Sequence, residues 1–406
     1  MTGNGSRRGQ RHSGGSSGAS SRSGRIRAGL AALIAVAAIA AIVIVAAQLG
    51  SKSPTVALPA GSSTPAGPSS GSSPAATSGH GTSGAPSPTG SSAAPGRNKT
   101  RSASPSPGSS TGPAPVPSGS LVPSHGAMFG SYAEPSGGGD TYTAFEGAIL
   151  TMEHELGRKL AIDNLYDKWT HPLPINIVRW DLSQGILPMI SWAGARTNLI
   201  TAGRYDRLIR SSARELRALH RPVMLRWFYE MDGSGQHPLV QSPASFVAAW
   251  RHVHNIFARA GASNVSWVWC PNALHFVGGV AQRYYPGGRY VDWICADGYN
   301  WAPKLRRASW RSFANIFSTF YHWSVGTGKP LMVGEFGVLE GTPGEKAAWY
   351  RQTDTELRTM FPAIRAVVYF NSDHEGYNWR VTTSRSSLAA FRAFARDQWF
   401  NARPRL

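Results

Sequence analysis

Polarity along the chain changes character three times. Residues 1–27 are mostly Gly, Ser and Arg, with too few apolar side chains to repay the entropy of ordering. Ala28 to Ser51 carries no charge, and Leu30 to Ala47 is almost wholly apolar. About 20 such residues, at ~1.5 Å each, cross a ~30 Å hydrocarbon core, so a transmembrane helix is expected over 28–49. Residues 50–123 are dominated by Ser, Gly, Pro, Ala and Thr, the composition of a disordered linker. After it, short apolar runs alternate with stretches of helical spacing. Eight runs stand out, at 128–132, 159–165, 186–192, 222–229, 265–270, 291–299, 331–336 and 364–371. They are rich in Val, Ile, Trp and Tyr and bounded by turn residues, so they read as strands. Residues 205–219 place apolar side chains at 205, 208, 209, 213, 216 and 219, and 243–261, 309–323 and 345–360 read likewise as helices.

Alternating strands and helices call for a parallel sheet covered by helices, an α/β fold. Eight repeats over 124–402 predict a (β/α)8 TIM barrel. An open doubly wound sheet usually shows a Gly-rich turn after its first strand, and Phe129-Gly130-Ser131-Tyr132 lacks that pattern.

Charge refines the picture. The chain has 41 Lys and Arg against 22 Asp and Glu, a net of +19. Residues 1–120 hold 10 of the basic residues and no acidic one, so the rest carries 31 − 22 = +9. The basic excess therefore says little about nucleic acid, and no nucleic-acid partner is expected. Six arginines precede the apolar span, which orients the N-terminus to the cytoplasm and the barrel outside the cell. A cleaved signal peptide, cut near Val45-Ala46-Ala47, is the competing reading and exports the barrel as well. No metal-ligand motif occurs, so neither metal nor cofactor is expected. Cys270 and Cys295 lie on neighbouring runs; a bridge is left open, because adjacent parallel strands rarely offer its geometry. A monomer is expected.

In such barrels chemistry sits at the C-terminal strand ends. Those ends hold Arg226, Glu230, Trp269, Asn272, Asp297, Tyr299, Glu335 and Asn371. Period-two alternation puts Arg226, Phe228 and Glu230 on one face, and Val333 with Glu335 on another. Two glutamates facing each other across a barrel mouth suit glycosidic cleavage, one as proton donor and one as nucleophile or base. Trp192, Trp227, Trp269, Tyr299, Trp301 and Trp379 cluster at or after strand ends, where flat rings suit the C–H faces of sugars. Asp181, Asp292 and Glu340 read as surface charges or caps.

Arg226-Trp227-Phe228-Tyr229-Glu230-Met231-Asp232-Gly233 resembles the acid/base strand of glycoside hydrolase family 26, the β-mannanase family. Trp267 to Asn272, Asp297 to Trp301, Gly334 to Gly337 and Tyr369 to Asn371 resemble that family's later strands, in order. The resemblance implies a retaining mechanism on a (β/α)8 barrel. Glu230 would be the acid/base and Glu335 the nucleophile. Arg226 and Tyr299 would hold the nucleophile, and Trp301 and Trp379 would line the sugar cleft; from their places at or near the strand ends, Tyr229, Trp192, Trp269, Asn272, Asp297 and Asn371 are expected to contact the polysaccharide as well. Tyr229 stands where the family commonly has His, and Ala193 stands where the mannanases commonly have His after Ser-Trp. These departures leave β-1,4-mannan, β-1,3/1,4-glucan and β-1,3-xylan open as substrates, with mannan first. They also motivate the alternative of a catalytically idle cell-wall polysaccharide-binding protein.

Overall fold

The computed structural model describes residues 121–406, except 140, 306, 307 and 375. The expected tail and transmembrane helix, and nearly all of the linker, lie outside the described residues. Among the described residues, no helix is long and apolar enough to cross a membrane.

In chain order the main elements are β1 (Met128–Ala133), α1 (Tyr142–Leu156), β2 (Ile162–Asp167), α2 (Ile175–Gln184), β3 (Leu187–Trp192), α3 (Thr197–Thr201), α4 (Asp206–Arg217), β4 (Val223–Trp227), α5 (His237–Val240), α6 (Pro243–Arg259), β5 (Val265–Trp269), β6 (Trp293–Asn300), α7 (Phe313–Val325), β7 (Leu331–Val338), α8 (Glu345–Met360), β8 (Ile364–Asn371), a two-stranded ribbon of β9 (Asp373–His374) and β10 (Tyr377–Asn378), and α9 (Arg385–Ala395). Strands β1 to β8 pair in sequence order, and β8 closes onto β1 as a parallel barrel. Each of the eight runs read from the sequence contributes one strand.

Local chemistry sets the boundaries. Helix α6 opens with Ser242 accepting the Ser245 N–H and with Pro243 in the first turn. It buries Phe246, Ala249, Trp250, Val253, Ile256 and Phe257. Helix α1 stops at Gly157, whose left-handed φ of 65° suits glycine. Alternation along the strands makes two cores. Met128, Ile162, Met189, Met224, Val268, Trp293, Met332 and Val368 belong to the cluster filling the barrel, while Phe129, Leu165, Ile190, Leu225, Trp267 and Val367 pack under the helices. Asp181 is a correction to the surface-charge reading: it lies fully buried on α2, beside the buried Asp163 of β2.

Strict alternation fails at two places, both at the mouth. Between β6 and β7 the register passes from Ala296↔Val333 to Asp297↔Glu335, so Gly334 is an extra residue. Val333 therefore joins the outer core instead of sharing a face with Glu335. Such a bulge re-aims the side chain that follows it. A Cβ on Gly334 would collide with the Cys295 sulfur and lie 2.7 Å from that of Cys270, so the bulge requires glycine. On β4 the break follows Trp227. Phe228 and Glu230 both adopt φ of 50°, uncommon for residues other than glycine, which swings Phe228 outward against Phe246. Phe228 thus departs from the face expected for it.

Cys270 and Cys295 form a disulfide, with Cα atoms 4.4 Å apart. The register Trp269↔Ile294 brings the two cysteines opposite each other inside the barrel, so their side chains converge where the sequence reading counted adjacent parallel strands as unfavourable.

Candidate active site

Arg226 organises the C-terminal end of the barrel. Its side chain follows Met224 into the interior and is fully buried. One guanidinium nitrogen donates to Glu335 Oε1 at 2.5 Å and to Asp297 Oδ2 at 2.7 Å, and the other donates to Ser191 Oγ at 3.0 Å. Burial disfavours this charge, but the carboxylates of Asp297 and Glu335 outweigh it and hold Arg226 protonated. The Tyr229 ring lies 4.6 Å from the guanidinium carbon, a cation–π contact.

Glu335 stands on the bulge of β7 with three donors around it. Arg226 and the Tyr166 hydroxyl donate to Oε1, and the Tyr299 hydroxyl donates to Oε2. Three donors thus converge on its two oxygens and fix the carboxylate in place. Glu230 has the opposite environment. It is 2% exposed, and its Oε1 has no hydrogen-bond partner. Burial first, then the charges of Glu335 and Asp297, push its carboxyl well above the ordinary range. A carboxyl pushed toward its neutral form beside a second carboxyl ringed by donors suits an acid paired with a nucleophile or base.

Behind Glu230, Asp232 accepts from the Asn272 side-chain amide at 2.8 Å and from the Asn272 backbone N–H at 3.1 Å. His275 Nδ1 lies 3.1 Å from the other Asp232 oxygen. Burial lowers the imidazole pKa, but Asp232 outweighs it and leaves the net shift upward. The Glu230 N–H donates to the Cys270 carbonyl at 2.8 Å, tying the irregular end of β4 to β5.

On the β6–β8 side, aromatic rings form a wall. Trp379 lies 4.8 Å from Tyr299 and 4.8 Å from Trp301, and Tyr377 packs on Trp301 at 5.4 Å. Asn371 Oδ1 accepts the Val381 N–H, and the Ser372 carbonyl accepts the Trp379 N–H, so the end of β8 holds the loop carrying Trp379.

Residues 169–338 match glycosyl hydrolase family 26. The comparisons support family 26 for this barrel. The matched segment contains both glutamates. Over 259 residues the chain is 31% identical to Endoglucanase H of Acetivibrio thermocellus, covering 61% of this chain and 29% of that protein. Over 148 residues it is 32% identical to Beta-1,3-xylanase TXYA of Vibrio sp, covering 34% of this chain and 28% of that protein. The chain thus spans less than a third of the length of these curated relatives. A double mutant of the Cellulomonas fimi endo-beta-1,4-mannanase superposes with a TM-score of 0.52 at 17% identity, over 68% of this chain and 71% of that one, a likeness of fold. Family 26 and these glycoside hydrolase relatives support a glycosidase.

Of the residues expected at the site, Arg226, Tyr229, Glu230, Asp297, Tyr299 and Glu335 come together in the barrel mouth, with Trp301 and Trp379 beside them. Two lie elsewhere. Trp192 is fully buried beneath the helices, stacked on Trp169 at 4.3 Å. Trp269 is fully buried against Phe276, Tyr285 and Trp323. Their strand neighbours Ser191 and Cys270 take the inward positions, so both tryptophans face the helix layer and the cleft role expected for them is corrected. Asn272 and Asn371 are buried with their amides engaged by Asp232 and Val381. Asn264, in an Asn-Val-Ser sequence, donates its amide to the Leu216 and Arg221 carbonyls. Glu340 lies at the start of α9, accepting from the hydroxyls of Thr383, Ser387 and Ser384, the last of which caps the helix.

Sequence reasoning missed Tyr166, Ser191, Asp232 and His275. Tyr166 lay one residue beyond the run assigned to the second strand. Period two from Ile162 and Asn164 points it inward. His275 carried no signal, because it reaches Asp232 from a 3-10 turn after β5.

Proposed function

We propose that the barrel is a retaining endo-β-glycanase. Glu230 protonates the glycosidic oxygen as Glu335 forms a bond to the sugar carbon, and the bond to the leaving oxygen breaks with its electron pair. Water, deprotonated by Glu230, then releases the sugar from Glu335. The observation that carries this reading is the unequal treatment of the two carboxyls: three donors on Glu335, and none on the buried Glu230 Oε1. Arg226, itself held by Asp297, anchors the nucleophile, and Trp301, backed by the buried Trp379, offers an aromatic surface to sugars.

For the substrate, mannan and β-glucan compete. The 31% identity with Endoglucanase H favours a β-linked glucan, as do Ala193 and Tyr229 in place of the mannanase histidines. A β-1,3-xylan is the further candidate, on the likeness to Beta-1,3-xylanase TXYA. The barrel works outside the cell, tethered by residues 28–49 and the linker; membrane fractionation of cells expressing the full chain tests the tether.

The activity test is reducing-end release by the full chain from mixed-linkage β-glucan, glucomannan, galactomannan and β-1,3-xylan, with Glu335→Ala and Glu230→Ala alongside. The reading predicts release by the wild type and its loss in Glu335→Ala. Binding to a polymer with no cleavage by any protein would instead support the polysaccharide-binding alternative.

A further inference from the structure

A carboxylate offers about four acceptor positions, two on each oxygen. On Glu335, Oε1 takes two donors, Arg226 and Tyr166, and Oε2 takes one, Tyr299. Among the described residues no fourth donor reaches it. Both positions on Oε1 are therefore filled, and the remaining lone pair belongs to Oε2. We propose that Tyr166 is a positioning residue: with Arg226 it immobilises Oε1 of Glu335 and leaves Oε2 as the oxygen that bonds to the sugar. This rests on the retaining mechanism above.

The surroundings of Tyr166 fit the task. Its ring meets Tyr132 edge-on at 4.8 Å and Tyr229 at 5.4 Å, and Tyr229 in turn covers the guanidinium of Arg226. The phenol is thus held from two sides by rings and aimed at the carboxylate. Burial, followed by the Glu335 charge, keeps the Tyr166 hydroxyl protonated, so it remains a donor across the working range of pH. Tyr299 experiences the same two influences. Its lone bond to Oε2 leaves that oxygen oriented but still nucleophilic.

The test uses the full chain and Tyr166→Phe, which keeps the ring and its contacts and removes the donor; a thermal melt confirms that the variant folds. Hydrogen bonds to charged groups imply a fall in kcat/KM of about ten- to a hundredfold on whichever polymer the wild type cleaves. The acid limb of its pH profile should move to higher pH, because the ionised nucleophile has lost a donor. A merely structural tyrosine would leave that limb in place. In parallel, titration of ¹³C-labelled glutamate side chains by NMR, with Glu335→Gln to assign the signal, should give a higher Glu335 midpoint in Tyr166→Phe than in the wild type. Equal midpoints, or an unmoved acid limb in an active variant, would overturn the proposal. If the wild type cleaves none of the polymers, the glycanase reading falls, and the NMR titration still decides whether Tyr166 acts on Glu335.

Discussion

Asp181→Asn should make the barrel more stable at alkaline pH. Asp163 and Asp181 are both buried between β2 and α2, and neither Asp181 oxygen finds a donor. Each can satisfy the other only if one of them carries a proton. Burial pushes Asp163 up to about 7, and burial together with Asp163 pushes Asp181 up to about 10; Glu146 and Glu153 on α1 add to the effect on Asp181. A carboxyl raised on folding contributes stability that is full below the unfolded value, ~3.9, and is lost as pH climbs to the folded one. Asp181 keeps its proton in the fold from pH 5 to 8 while the unfolded carboxyl is ionised, and that rise in pH removes a few kcal/mol. At about 2 °C per kcal/mol for a domain of this size, the wild-type Tm should fall on the order of 5 °C between pH 5 and 8 from this pair alone. An Asn at 181 has no proton to hold, so the variant is spared the part of the fall that belongs to Asp181 and should lose stability less steeply. Other groups titrate in the same window. Asp167, also pushed up to about 7, acts in the same direction, whereas the buried Lys346 amine, lowered to about 7, gains stability as pH rises. Comparing the two proteins at both pH values removes these shared contributions. Scanning calorimetry on the full chain suffices, and a variant whose Tm falls between pH 5 and 8 as steeply as the wild type's would refute the shared proton.

The remaining predictions concern the mouth. Glu230 must be protonated to act, and its environment raises its pKa, so the basic limb of kcat/KM should lie well above the ordinary carboxyl value of ~4.3. Asp232→Asn removes one of the charges that raise it and should move that limb to lower pH; a wild-type limb near pH 4 would contradict the assignment of Glu230. Gly334→Ala forces a methyl group against the disulfide, and overpacking of this kind costs about 1–3 kcal/mol or more. The variant should melt earlier and lose activity, while an unchanged melting curve would refute the bulge as drawn.

The barrel was legible because its strands and helices announce themselves by different periods, and the ends of β4 and β7 carry the two glutamates in plain view. What alternation could not deliver was the geometry of those same ends. Counting by twos from Val333 places Glu335 correctly only through an error, because the extra Gly334 changes the face. Counting from Arg226 fails at Phe228, where two left-handed residues interrupt the strand. Local breaks of this kind gather at functional sites, where a side chain must be aimed against the regular pattern. Other misses were avoidable. Once Ser191 is assigned inward, Trp192 must face outward, and the same parity carries Tyr166 to the nucleophile. Asp181 sits three and four residues after Val178 and Ile177, on the apolar stripe of its helix, which already argued against exposure. The Asp232–His275 contact joins residues 43 apart through two loops, and no local pattern encodes it.

The most direct test of the retaining mechanism is the stereochemistry of the first product. Proton NMR on the β-glycan that the full chain cleaves, recorded within minutes of mixing, should show the new reducing end appearing as the β anomer and only later equilibrating. An α anomer formed first would mean that water attacks the sugar directly and that Glu335 is not the nucleophile.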